Sequence, residues 1–137
     1  MSDMVAIRSK RILERLARYH VTATILDDYR DFLPDLQLAE VVLGVYENFS
    51  DRKEGNLIIT NKGIYVLTTK EARYIQYKDI SKVQSPEEKE TATGCLLTDN
   101  SGQPYWLPVV GSHDHFRDVF EFLRFLDRVM SDISSVS

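Results

Sequence analysis

The sequence predicts a mainly β domain of about seven antiparallel strands, closed by a C-terminal helix and preceded by two N-terminal helices. Three observations carry that expectation. Between about Leu36 and Val110, apolar and β-branched residues come in short runs broken by turn residues, the pattern of a sandwich or partly open barrel. Phe116 to Ile133 is apolar at helical spacing, and Met1 to about Asp35 has a helical period of its own.

The first predicted helix places Val5, Ile12, Leu13, Leu16 and Tyr19 on one side, at about 100° per residue. A second, over Thr22 to Leu33, carries Ile25, Leu26, Tyr29, Phe32 and Leu33. Pro34 ends it, because the proline ring disfavours α geometry in the residue before it. Residues 1–35 are therefore read as a helical extension packed on the domain or on a neighbour, and 36–137 as the β domain itself.

Val41, Leu43 and Val45 alternate with Val42, Gly44 and Tyr46, which is strand periodicity. Leu57 to Thr60 and Ile64 to Thr68 flank Asn61-Lys62-Gly63, a hairpin in which Gly63 is expected to supply a positive φ. Lys70 to Ala72 turns the chain into Arg73 to Tyr77, and Ile80 and Val83 mark a further strand before the charged stretch Ser85 to Glu90. Cys95 to Thr98 and Tyr105 to Val109 form the last hairpin around Asp99-Asn100-Ser101-Gly102. Pro104 and Pro108 cannot donate ladder hydrogen bonds, so that strand belongs at an edge or on a bulge.

Gly111 breaks the strand, Ser112 is a good N-cap, and Asp114 suits the positive end of the helix dipole. Phe116, Val119, Phe120, Leu123, Leu126, Met130 and Ile133 make one stripe, which Phe122, Phe125 and Val129 widen to roughly 200°, twice what a surface helix needs. The shared core is expected to hold Ile59, Ile64, Val66, Ile75, Phe116, Phe120 and Leu123. Phe122, Phe125 and Val129 then need a second cover, and Ile12, Leu16 and Tyr19 of the N-terminal block, from the same chain or a neighbour, are the expected partners.

The order of meandering strands and one final helix is that of a pleckstrin-homology (PH) fold. Leu57-Ile58-Ile59-Thr60-Asn61-Lys62-Gly63-Ile64-Tyr65-Val66 resembles the second hairpin of bacterial PH-like and GRAM-type domains, and Ile75-Gln76-Tyr77-Lys78-Asp79-Ile80-Ser81-Lys82-Val83 resembles their I-x-Y-x-x-I-x-x-V segment. The resemblance covers about Leu38 to Asp132. It implies a PH-like barrel or sandwich and a binding function. PH domains of eukaryotic signalling proteins carry a tryptophan in the closing helix; here Trp106 lies in the preceding strand, which points to the bacterial-type branch and away from lipid binding. The loop that grips phosphates in phosphoinositide-binding relatives corresponds to Asn48 to Asn56, where Arg52 and Lys53 are outnumbered by Glu47, Asp51 and Glu54.

Chemistry finds little purchase. His113-Asp114-His115 is the best metal candidate, but two ligands at i and i+2 of a helix point about 200° apart. Asp99 to Gly102 lacks the further acids of a calcium loop, Cys95 reads as a small core residue, and Asp27-Asp28 and Glu87-Glu88 read as solvated surface. The chain contains no P-loop, G-x-S-x-G, H-E-x-x-H or dinucleotide fingerprint. Arg8, Arg11, Arg15 and Arg18 recur at helical spacing, a stripe suited to an anionic membrane or an acidic partner. A net charge of −4 argues against nucleic acid, and one cysteine excludes an intrachain disulfide and suits a reducing compartment. No apolar run is long enough to span a bilayer, and the Arg-rich start, interrupted by Asp3 and Glu14, reads as mature protein. The expectation is a non-catalytic cytoplasmic module that binds a protein partner or a second copy of itself, with no metal, cofactor or small-molecule substrate. The alternatives are membrane or lipid-headgroup binding through the arginines, and a metal-dependent enzyme at His113 and His115.

Overall fold

Leu57-Ile58-Ile59-Thr60 is apolar without alternation, the pattern of a strand covered on both faces. In the computed structural model, which describes residues 4–16, 18–20, 42–49, 54–68, 72–84, 94–109 and 115–136, all four are buried. They form the middle strand of a five-stranded antiparallel sheet. Its order is β1 (Tyr19–His20), β2 (Val42–Tyr46), β3 (Leu57–Thr60), β4 (Gly63–Leu67) and β5 (Ala72–Gln76). After a 3-10 turn at Tyr77–Asp79 come β6 (Ile80–Gln84), β7 (Gly94–Asp99) and β8 (Pro104–Pro108), a second antiparallel sheet in that order. A short helix α1 (Met4–Ile12) precedes the strands and a long one, α2 (His115–Val136), follows them. The chain is thus mainly β, with two helices among the described residues. No described helix is long and apolar enough to cross a membrane.

Local chemistry explains the turns. Between β3 and β4 the Thr60 hydroxyl accepts from the backbone N–H of Lys62 at 3.1 Å and of Gly63 at 2.9 Å. Gly63 does not take the positive φ expected of it. Glycine is required there because a Cβ would collide with the Ile75 carbonyl oxygen and come within 2.7 Å of the Tyr74 ring. Between β7 and β8, one Asp99 carboxylate oxygen accepts from the backbone of Ser101 and Gln103 and from the Ser101 hydroxyl. Gly102 follows at φ 89°, a value that side chains disfavour. Among the described strands, Pro104 and Pro108 do lie on an edge one.

The N-terminal block departs from its helical pattern. The helix ends at Ile12, tightens to a 3-10 turn over Leu13–Arg15, and is extended by Leu16, so that Tyr19 lies on a strand paired with Tyr46. Edge pairing with β2 satisfies backbone groups that a continued helix would have satisfied internally. The second expected helix, Thr22 to Leu33, lies outside the described residues, as do Ser112, His113 and Asp114.

One core joins both sheets to both helices. It contains Ile12, Leu13, Leu16 and Tyr19, then Tyr46, Ile59, Ile64, Ile75, Cys95, Leu97 and Leu107, then Val119, Phe122, Phe125, Leu126 and Val129. A second cluster, Val45, Ile58, Tyr65 and Leu67, is buried on the other face of the five-stranded sheet. The expected helix face needs correction. Phe120 is 55% exposed and Leu123 half-buried, whereas Phe122, Phe125 and Val129 are at 0%. The helix packs on the sheets along one side and on α1 along another, so its buried arc centres on 122, 125, 126 and 129. Ile59, Ile64 and Ile75 are buried as expected, Val66 is half-buried, and the Phe116 side chain lies outside the described residues.

Candidate protein-binding groove

Two tyrosines fix the rotation of α2. The Tyr46 ring meets Phe122 edge-on at 5.0 Å, and its hydroxyl donates to the Asp118 carboxylate at 2.5 Å. The Tyr77 ring meets Phe125 edge-on at 6.0 Å, and its hydroxyl donates to the Thr60 carbonyl at 2.8 Å. Each ring holds one phenylalanine of the helix while its polar end is satisfied elsewhere. With Phe122 and Phe125 held inward, the flank bearing Phe120, Leu123, Asp127 and Met130 lies at the margin of the core, alongside β6.

That flank and β6 line a groove of about 600 Å³. Val83, Leu123 and Met130 are half-buried and pack on the core, forming an apolar floor. Phe120 lines the same groove and is exposed. Among the described lining residues, Lys82, Arg124 and Arg128 stand with the one acid Asp127, and Arg128 also interacts electrostatically with Asp132. Arg124 lies 3.5 Å from Glu121 on the next turn back. Among the described strands β6 is the outer one of its sheet, paired with β7 on one side.

The residues singled out from the sequence are placed differently. Phe122, Phe125, Val129, Ile12, Leu16 and Tyr19 do come together, but inside the chain's own core, where each is buried and none is presented to a partner. The arginine stripe is broken up. Arg8 donates to both carboxylate oxygens of Asp132 on α2, at 3.0 and 3.2 Å. This pairing holds the Asp132 carboxyl below the ordinary carboxylate range. Arg18 is beyond the helix and donates to the carbonyls of Glu47 and Asn48. Arg11 and Arg15 are exposed, as are the apolar Met4 and Ile7 of α1, whereas Ile12 is buried in the core.

His113 and Asp114 lie outside the described residues, and no group of metal-binding side chains occurs among those described. Cys95 is at 0% exposure, and burial pushes its thiol up to about 12. The loop that would grip phosphate is closed at its base by buried amides. Asn48 donates to the carbonyls of Gly55 and Pro108, and Asn56 exchanges two hydrogen bonds with the Phe49 backbone. A second, polar cavity of about 320 Å³ borders Asp79, Asp99 and Asn100, and Asp99 there is committed to the turn it closes.

Sequence reasoning missed the groove residues Lys82, Arg124 and Arg128 and assigned the exposed Phe120 to the core, whereas Leu123 does pack against it. The apolar arc that was too wide for one sheet was the available signal; which edge of it stays outside depends on the packing of α1. Compared with models of protein families, with curated proteins and with solved structures, the chain matches none.

Proposed function

We infer that the chain is a non-catalytic protein-interaction module of PH-like architecture, which receives another polypeptide in the groove between β6 and α2. The observation that carries this reading is Phe120, a large aromatic 55% exposed in a groove that apolar and charged side chains line together. Aromatic residues beside arginine are the usual anchors of protein interfaces, because they bury large apolar area with little loss of rotamer freedom. The PH-like part of the reading is supported by the order of β2 to β8 in two antiparallel sheets followed by one closing helix.

Site-specific photocrosslinking in the cells of origin tests it. A benzophenone side chain at position 120 is expected to give discrete adducts that map to one polypeptide segment. The same group at Lys62, an exposed turn residue remote from the groove in sequence, serves as the control. Equal labelling from both positions, or none from position 120, rejects the reading. Sedimentation at two protein concentrations then distinguishes a second copy of this chain from a different partner.

A further inference from the structure

We propose that the outer face of α1 docks this protein on an anionic lipid surface, with Ile7 and Met4 entering it. Val5, Ser9 and Ile12 hold the inner face of α1 against the core, and Arg8 ties the helix to Asp132 of α2. At about 100° per residue, Ile7 lies about 200° from both Val5 and Ser9, so the helix presents an isoleucine at its most outward position. It is exposed there, and Met4, Lys10 and Arg11, all within about 60° of it, are exposed with it. Glu14 and Arg15 of the 3-10 turn follow, also exposed. The segment is basic on a chain whose net charge is −4: residues 1–18 hold Arg8, Lys10, Arg11, Arg15 and Arg18 against Asp3 and Glu14. Asp132 offsets Arg8, and Arg18 is held by two backbone carbonyls, which leave its charge uncancelled. Next along, His20 and Glu47 face each other at 3.0 Å. Lys10, Arg11 and Arg15 make no ion pair among the described residues. Apolar tips ringed by cations on long stems suit the headgroup layer, because the tips enter the acyl boundary while the charged groups stay with the anions. Such a surface need not be shaped to the helix, and the core has already fixed which face is outward. Residues 4–15 lie outside the stretch Leu38 to Asp132 that resembles PH-like domains, so this surface belongs to the N-terminal segment and is independent of the groove.

Flotation of the full chain with phosphatidylcholine vesicles, with and without phosphatidylserine, tests the proposal. The protein is expected to float only with vesicles that contain phosphatidylserine, and to be released in about 0.5 M salt. Lys10→Glu/Arg11→Glu should lower the affinity about tenfold or more, and Ile7→Ser should lower it by a smaller factor. Both variants should melt as the parent does, since the replaced side chains are exposed. An environment-sensitive dye on Ile7→Cys should shift to the blue on these vesicles, and the same dye on Lys62→Cys should not. Cys95 is buried and stays unlabelled. Flotation with neither kind of vesicle, or equally with both, overturns the proposal. So does binding that neither variant weakens, because another surface then carries it. Binding that the charge variant weakens, without a dye shift at position 7, overturns the entry of Ile7 and Met4. A benzophenone at position 7 that crosslinks one polypeptide in cells, with no vesicle binding, assigns the face to a protein partner and overturns the lipid class. Crosslinking from position 120 reports on the groove alone, so the two readings stand or fall separately.

Discussion

Phe120 and Phe122 stand two positions apart on α2 and about 200° apart around its axis, so they cannot serve the same surface. Their environments make opposite energetic predictions. Phe122 is fully buried against Tyr46, and its replacement by alanine removes apolar contact and leaves a cavity in a two-sided packing. Phe122→Ala is expected to lower unfolding free energy by about 3–5 kcal/mol. Phe120→Ala, at an exposed site, should change it by about 1 kcal/mol or less while weakening partner binding. Urea melts of the two variants check this directly, and equal losses would place Phe120 back in the core. Burial also decides the behaviour of Cys95: a thiol in the core with its ionisation pushed up to about 12 is a packing residue, as its alternating strand implied.

At the scale of elements, the strands and their turns were legible because their causes are local. Asp99 to Gly102 form the expected turn, and Pro104 and Pro108 put β8 at an edge. Gly63 was read as a turn glycine, yet what demands it is the approach of Ile75 and Tyr74 on a neighbouring strand, which spacing along the chain does not encode. The end of α1 was missed for the same reason: Leu16 and Tyr19 keep a helical period while the backbone turns toward β2. The candidate groove was illegible because β6 becomes an edge only through sheet order, and α2 takes its rotation from Tyr46, Tyr77 and α1. The tie between the two helices has a pH signature. Asp132 titrates below its ordinary value because Arg8 donates to it, so the folded state binds that proton less readily than the unfolded chain. The resulting stabilisation is complete above the ordinary carboxylate range and is lost as pH falls through the lowered value. Asp132→Asn should therefore melt below the parent at neutral pH, with a gap that shrinks in strong salt and closes in acid. A gap that widened in acid would show that the ion pair is not its source.

For the whole molecule, the organising fact is that the N-terminal segment completes the core from which the groove is turned away. Ile12, Leu13, Leu16 and Tyr19 share one apolar cluster with Phe122, Phe125 and Val129, and Tyr19 and His20 extend the five-stranded sheet at its β2 edge. Removing residues 1–20 would take this cover and this edge strand away at once, together with the Arg8 partner of Asp132. The uncovered side of α2 would present two phenylalanines and a valine to water, an apolar patch that invites association. It would also free α2 to turn about its axis, because contacts with the sheets would hold only one side of it. The truncated chain is expected to melt at lower denaturant with reduced cooperativity, to bind hydrophobic dye, and to self-associate as concentration rises. Crosslinking from position 120 should weaken, although no groove residue has been removed, since the position of Phe120 depends on the rotation of α2. A truncated protein that stays monomeric, melts with the full chain, binds no additional dye and keeps the position-120 adducts would show that the sheets alone set that rotation. The N-terminal segment would then be a cover that the fold does not require.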